Sequence, residues 1–212
     1  MVVSTKLGYA VPGVPDWTGP CITAGIDLAL QRLATTWLDI AHLHSCPLDV
    51  LQRGDVLEAL AAAQRSGKVR VAAYSGDNAP LLWAIESGLF GGVQCSINVA
   101  DQRALDRAVP LAQGRGLGVL AKRPLANGAW REPVRPDAPD RAAYWDRLHA
   151  MGLSLTAERA LGFVLAQPAS SILVGTTRID HLRAMAEVSA DPDADQLREL
   201  FRRHDRGWDG II

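Results

Sequence analysis

The stretch DVLEALAAAQRSGKVRVAAYSG, residues 55–76, decides the fold class of this chain. Its first part is rich in Ala and Leu, which predicts a helix, and Gly67 stands where a helix commonly ends in a left-handed residue. Its second part, VRVAAYSG, is a short apolar run with β-branched residues, which predicts a buried strand. A helix that leads directly into a buried strand indicates a parallel sheet covered by helices.

The same alternation extends in both directions from this stretch. Strands are predicted in VVSTK, WLDIAHLHS, VRVAAYSG, GVQCSINV, GVLAKRPL and SSILVG, with helices between them. Val2 and Val3 are predicted to be buried in the first strand, and Thr18 to cap the first helix. We count about six strand–helix units, whereas a closed TIM barrel has eight. A doubly wound sheet would also fit this alternation, but no glycine fingerprint of the dinucleotide-binding type follows a strand, so the pattern favours a TIM-barrel type (β/α) fold, incomplete and in one domain, residues 1–212.

Composition excludes several classes of function. Lys and Arg total 22 against 23 for Asp and Glu, a net charge of −1, so we expect neither nucleic acid nor a membrane surface as a partner. No apolar stretch approaches the roughly 20 residues of a membrane span. Three scattered cysteines without metal-ligand spacing are typical of a reducing compartment. The start has no signal-peptide pattern, and we expect a cytoplasmic protein.

Polar residues stand where predicted strands end, which is where the active sites of such barrels lie. Lys6 ends the first strand, His44 the second, Ser75 the third, and Gln94 lies in the fourth. Each also has a purely structural interpretation, as an edge lysine, a core histidine or a hydrogen-bonding filler. His42 and His44 share one face of their strand, which permits a metal pair, but with no supporting carboxylate or thiolate we predict no metal site.

Two loops after late strands are suited to phosphate. In AKRPLANGAW, residues 121–130, two cations and an amide follow an apolar strand, a combination that binds phosphate well. In VGTTRIDHL, residues 174–182, glycine and two threonines precede a predicted helix, and a helix start binds anions. Simple capping of that helix by a threonine is an equal alternative for the second loop. Together the loops favour a phosphate-bearing ligand.

These segments resemble the aldo-keto reductases, most closely a bacterial branch of the family. VVSTKLG, SGKVRVAAYSG, KRPLAN with Trp130 after it, and ILVGTTRIDHL carry the resemblance, which covers nearly the whole chain. The resemblance implies a (β/α)₈ barrel and an oxidoreductase that reduces an aldehyde or ketone with NADPH by hydride transfer. A small-molecule carbonyl substrate and the cofactor NADP(H) are thereby implied.

The resemblance also implies a role for individual residues. Lys6 and His44 match the family's catalytic lysine and histidine, and Ser75 and Gln94 match its contacts to the nicotinamide carboxamide. The positions at which the family binds the cofactor's phosphates correspond here to Arg123, Leu125, Asn127, Gly175, Thr176 and Thr177. Arg178 is hypothesised to meet a ribose phosphate.

By the same resemblance, the Lys6 strand corresponds to the family's third strand. The family's catalytic Asp and Tyr belong to the two units before it, so we expect an N-terminally truncated chain with impaired activity. Tyr9 and Tyr74 do not match the family position, and we expect neither to replace the missing acid. Further departures are Gly76, Lys122, Ala184 and Met185, which stand where many members have cofactor-contacting residues.

Several interpretations of function therefore stay open at this point. Besides an oxidoreductase, the chain is compatible with a degenerate family member used for binding or assembly, or with a lyase or isomerase of the same fold. Exposed strand edges at both ends would favour a homo-oligomer or a partner that covers them. The loop at residues 126–140, its Trp130, and Trp208 are candidates for lining a substrate pocket.

Overall fold

The computed structural model describes residues 1–204, so Trp208 and the tail around it lie outside the described residues. Six strands run over β1 Ser4–Leu7, β2 Leu38–His44, β3 Val69–Ser75, β4 Gly92–Ser96, β5 Gly118–Lys122 and β6 Ser171–Ile172. The α-helices are α1 Gly19–Leu33, α2 Leu48–Arg53, α3 Asp55–Arg65, α4 Asn78–Ser87, α5 Ala108–Gly114, α6 Pro139–Ala150, α7 Ala157–Leu165, α8 Ile179–Ala186 and α9 Ala194–His204. The strands follow one another in the sheet in chain order, which confirms the predicted α/β alternation.

The described chain divides into two compact units. The first comprises residues 1–94 and 111–118, and the second comprises residues 95–110 and 119–204. The prediction of one domain over the whole chain stays a prediction, and each unit is described by itself.

In the first unit, β1 to β4 pair in parallel. Ser4 pairs with Ile40 at the start of β1, and Leu38 pairs with Val69 at the start of β2. Helices pack against these strands, with α1 on β1 and with α3 and α4 on β3. Val2 is a correction to the sequence prediction, since it is 70% exposed and precedes the first paired residue. A β-branched apolar residue is buried only where a neighbour covers it, and none covers Val2 within the described residues.

Local signals place the helices of this unit. The Thr18 hydroxyl accepts a hydrogen bond from the Cys21 amide at 3.3 Å, so it caps α1 as predicted. The helix predicted from residue 55 is α3, and Gly67 follows its end with φ of 77°. Arg53 and Asp55 flank a left-handed Gly54 that separates α2 from α3.

In the second unit, β5 pairs in parallel with β6. A 3₁₀ turn at Arg103–Leu105 precedes α5, and Pro110 lies in the first turn of α5. Proline is tolerated there because first-turn amides have no helical acceptor, so Pro110 does not interrupt α5. The Arg198 guanidinium on α9 donates to the Gln102 backbone carbonyl at 3.2 Å.

Two searches of the described residues bear on function. Nowhere in residues 1–204 is there a helix with the length and apolarity needed to cross a bilayer. Nor do those residues contain a group of three or more His, Cys, Asp or Glu side chains that could hold a metal ion.

Candidate active site

A row of polar residues crosses one face of the sheet in the first unit. His44 pairs with Ser75, and Ser75 pairs with Gln94. Lys6 pairs with His42, which lies two residues before His44 and therefore on the same face. The structure thus brings together the four residues of this unit that the sequence predicted for the site.

Burial differs sharply along this row. Ser75 is completely buried and Gln94 is 3% exposed, whereas Lys6 is exposed and His44 is half-buried. Within the described residues the Ser75 hydroxyl has no hydrogen-bond partner. A buried hydroxyl without a partner costs free energy, so this position is suited to a polar group that arrives with a ligand.

His42 is the core histidine of this face. It is completely buried, and its Nε2 lies 3.0 Å from the Ser4 hydroxyl. Burial, and to a smaller extent the positive charge of Lys6, lowers the pKa of His42 to about 4. His42 is therefore neutral near neutral pH, and of the two histidines only His44 reaches the surface.

Tyr9 is a residue that the sequence prediction set aside. It lies in the loop after β1, and its hydroxyl forms a hydrogen bond with Nδ1 of His44. Lys6 and Tyr9 also line a cleft of about 350 Å³ together with part of α1. Gly8, Pro12, Gly13 and Pro15 are the local signs in the sequence that this segment forms a turning loop.

The departure at Gly76 has a steric reason. A Cβ at this position would lie 2.5 Å from the Tyr74 hydroxyl, which donates to the Cys46 carbonyl at 3.1 Å. A side chain here would displace that buried tyrosine, so a residue larger than glycine has no room at this position. The Gly76 amide donates instead to the Gln94 carbonyl at 3.0 Å.

The second unit contains the predicted phosphate loops, and the structure brings them together. A cavity of about 760 Å³ is lined by Gly175, Thr176, Thr177 and Arg178 from one loop and by Leu125 and Trp130 from the other. A neighbouring cavity of about 450 Å³ is lined by Arg123, Leu125 and Asn127, and Gly175 borders both. All seven predicted residues of this unit therefore lie on these two cavities.

Hydrogen bonds hold the loop after β5 in place. The Arg123 guanidinium donates to the Ser96 hydroxyl at 3.3 Å, and the Asn127 amide donates to Asp140 at 3.0 Å. The Trp130 indole donates to the Leu125 carbonyl at 3.1 Å. Trp130 was a candidate for a substrate pocket, and here it lines the cavity shared by the two phosphate loops.

In the loop before α8, Thr176 does not cap the helix. Its hydroxyl accepts a hydrogen bond from the Arg178 amide at 3.1 Å, one residue before α8 begins. The Arg178 guanidinium pairs with Asp180, and the hydrogen bond from Arg178 lowers the pKa of that carboxyl. Sequence reasoning missed this pair because it considered Arg178 alone.

The apolar wall of the larger cavity comes from α8. Ala184 and Met185 lie there, together with Val188, and His181 adds an imidazole near Arg178. Ala184 and Met185 were noted as departures from the family pattern, and His181 was missed. His181 follows Arg178 by three residues, about one helical turn, and this spacing is the sequence signal that could have placed it on the same side of the helix.

Comparisons with known proteins agree with this architecture. The model of the Aldo/keto reductase family matches residues 1–200. L-galactose dehydrogenase of Arabidopsis thaliana is 26% identical over 221 residues, covering 94% of this chain and 68% of that protein. Aldo-keto reductase AKR11C1 from Bacillus halodurans superimposes with a TM-score of 0.77 in its holo form and 0.74 in its apo form. These structures are 21% and 22% identical, and the match covers 98% of this chain and 74% or 72% of theirs.

The fold is that of aldo-keto reductases, with a parallel six-stranded sheet and alternating helices as predicted. The family match extends over both units and includes all the residues predicted for the site. The chain belongs to the aldo/keto reductase family.

Proposed function

We propose that this chain is an NADP(H)-dependent oxidoreductase that reduces an aldehyde or ketone by hydride transfer. The observation that carries the proposal is the buried Ser75 hydroxyl, which lacks a partner within the described residues and lies in register with His44 and Gln94. A carboxamide, such as that of nicotinamide, offers both a hydrogen-bond donor and a hydrogen-bond acceptor to this row of polar side chains. Family membership supports an oxidoreductase of this type.

The cavities of the second unit support a dinucleotide with phosphates. Gly175, Thr176 and Thr177 offer backbone amides and hydroxyls for a phosphate, and Trp130 and Met185 offer an apolar surface for a base. Arg123 and Asn127 on the neighbouring cavity are suited to the pyrophosphate. When bound, NADPH supplies the hydride that such a reduction needs.

The chain's own residues then stabilise charge on the carbonyl oxygen. His44 donates a hydrogen bond to that oxygen, and the positive charge of Lys6 on the same face favours its developing negative charge. Because neutral imidazole is a weak acid, a hydrogen bond from His44 assists the reduction only modestly, and we propose that turnover is slow.

A catalytically degenerate protein with a binding or assembly role is the alternative. The Arg178–Asp180 ion pair favours it, since a carboxylate already paired with the guanidinium weakens recognition of a phosphate. A lyase or isomerase of the same fold would turn over a substrate without nicotinamide, and an assay that omits NADPH distinguishes it.

Titration of NADPH into the purified chain, followed by cofactor fluorescence, tests the proposal. Ser75→Ala removes the unpartnered hydroxyl, so we expect NADPH to bind about tenfold more weakly while the free energy of unfolding does not fall. Ser87→Ala, at the end of α4, is the matched control and leaves binding unchanged. Saturable binding followed by NADPH oxidation with carbonyl compounds supports an oxidoreductase, and absence of binding favours the degenerate alternative.

We also propose a cytoplasmic location. Cys21, Cys46 and Cys95 are all buried thiols, and burial raises the pKa of the Cys46 thiol to about 12, which protects it from oxidation. Cell fractionation with detection of the chain tests this location, and recovery outside the cytoplasmic fraction contradicts it.

A further inference from the structure

The loop between β1 and α1 is built to hold one residue, Tyr9, in a defined place. The Trp17 amide donates to the Gly8 carbonyl at 2.7 Å, and the Ala10 amide donates to the Asp16 carboxylate at 3.0 Å. Gly8 has φ of 134°, and a Cβ there would overlap the ring of Trp17. The loop is therefore closed on itself by two hydrogen bonds and a tight glycine–tryptophan contact.

Tyr9 contacts His44 in two ways. Its hydroxyl forms a hydrogen bond with Nδ1 of His44, and the two rings stack with centroids 5.3 Å apart and planes 30° apart. On its other side Trp17 packs edge-on against the Tyr9 ring at 5.8 Å. Tyr9 is thus positioned by packing as well as by its hydrogen bond, although it lies 35 positions before His44 in the sequence.

We propose that Tyr9 is a positioning residue that keeps the proton of neutral His44 on Nε2. A phenol hydroxyl is a stronger donor than the N–H of neutral imidazole, so the hydroxyl of Tyr9 donates and Nδ1 of His44 accepts. In a neutral imidazole with an accepting Nδ1, the other nitrogen carries the hydrogen. Tyr9 also fixes the plane of the ring through the stacking contact.

This assignment rests on the proposed reduction of a carbonyl, and it explains how His44 serves that reaction. In this tautomer Nε2 of His44 carries the hydrogen that a carbonyl oxygen can accept. Without Tyr9 the imidazole would exchange between two tautomers, of which one presents a lone pair that repels the oxygen. Tyr9 thus acts through His44, which is a different role from that of the family's catalytic tyrosine.

An NMR titration of His44 in Tyr9→Phe tests the direction of the hydrogen bond without cofactor or turnover. Donation from Tyr9 to Nδ1 stabilises only the neutral ring, so removing the hydroxyl raises the titration midpoint of His44, by about half a pH unit. Lys6 and His42 are titratable groups on the same face as His44, and both are retained in the variant. A lowered titration midpoint would mean that His44 donates the hydrogen bond to Tyr9. An unchanged midpoint would mean that the contact has no effect on the protonation of His44. Either result overturns the proposal.

The matched control is Tyr74→Phe, which removes another tyrosine hydroxyl of the same unit. The Tyr74 hydroxyl bonds the Cys46 carbonyl and not His44, so this variant leaves the His44 midpoint unchanged. His44→Gln assigns the resonances. Phe at position 9 retains the stacking contacts, so a shift in Tyr9→Phe reports the hydroxyl itself.

Turnover measurements complete the test. We expect Tyr9→Phe to lower kcat about tenfold with KM for the carbonyl substrate little changed, because the tautomer matters most in the transition state. A raised midpoint with unchanged kcat would overturn the catalytic role. If the unsubstituted chain itself has no turnover, the proposed function fails, while the titration still decides whether Tyr9 sets the protonated nitrogen of His44.

Discussion

Arg178 and Asp180 form a two-pronged ion pair at the beginning of α8. Nε of Arg178 lies 3.1 Å from Oδ1 of Asp180, and Nη2 lies 2.6 Å from Oδ2. Both side chains are exposed, and Arg178 borders the larger cavity of the second unit. A ribose phosphate that binds Arg178 must therefore compete with a carboxylate that already occupies the guanidinium.

Competition between the ribose phosphate of NADPH and the Asp180 carboxylate for Arg178 leads to the first prediction. Arg178→Gln should lower the affinity for NADPH about tenfold and leave NADH unaffected, because only NADPH carries the additional phosphate. Asp180→Asn removes the competing charge and should raise NADPH affinity by a few-fold. Fluorescence titrations with both cofactors measure the preference. Arg183→Gln, on the same helix but away from the cavity lining, is the control, and weaker NADPH binding in Asp180→Asn would contradict the competition.

The glycine that opens the Tyr9 loop leads to the second prediction. Gly8→Ala combines an unfavourable positive φ with steric overlap against Trp17, so it should lower the free energy of unfolding by about 2 to 3 kcal/mol. Gly13→Ala, in the same loop, has φ of 74° but open space around its Cβ, and should cost only about 1 kcal/mol. Urea unfolding measures both variants. Equal losses would contradict the importance of the tryptophan contact.

The alternation of strands and helices was predictable because each element depends on local signals. Apolar runs such as VRVAAYSG and caps such as Thr18 act within a few residues, and the structure places both as expected. Val2 shows the limit of this reasoning, since its apolar side chain is exposed. Whether an apolar residue is buried depends on what lies beside it, and periodicity does not contain that information.

The candidate site was predictable only where residues follow strands. Ser75 and Gln94 fall in register because parallel strands end at the same edge. Tyr9 reaches His44 through a loop that folds back on itself, and nothing local to position 9 specifies a partner 35 residues away. Asp180 was overlooked for a different reason, since an ion pair between exposed neighbours depends on rotamers that sequence spacing does not determine.

Exposed apolar side chains on α8 lead to the third prediction, that a second copy of the chain covers this helix. Ile179 is 69% and Leu182 is 51% exposed, and no residue of α8 is buried. Because burial of such side chains is favourable, we expect association that increases with concentration in sedimentation velocity. Ile179→Glu with Leu182→Glu should shift the protein to monomer, whereas Leu89→Glu, at a comparably exposed position in the first unit, should not. A monomer at every concentration would contradict the proposal.

The buried His42 leads to the last prediction, which concerns stability and pH. Its pKa is about 4 in the folded chain against an ordinary value of 6.5, chiefly because it is buried. Between these values the unfolded chain binds a proton that the folded chain does not, so the free energy of unfolding falls as pH falls through this window. The loss due to His42 should be about 2 kcal/mol between about pH 7 and about pH 5. Urea unfolding of the unsubstituted chain and of His42→Gln at both pH values isolates this contribution, because glutamine does not titrate. If the two proteins lose stability equally on acidification, His42 binds its proton as readily in the folded state as in the unfolded one, and the burial argument is wrong.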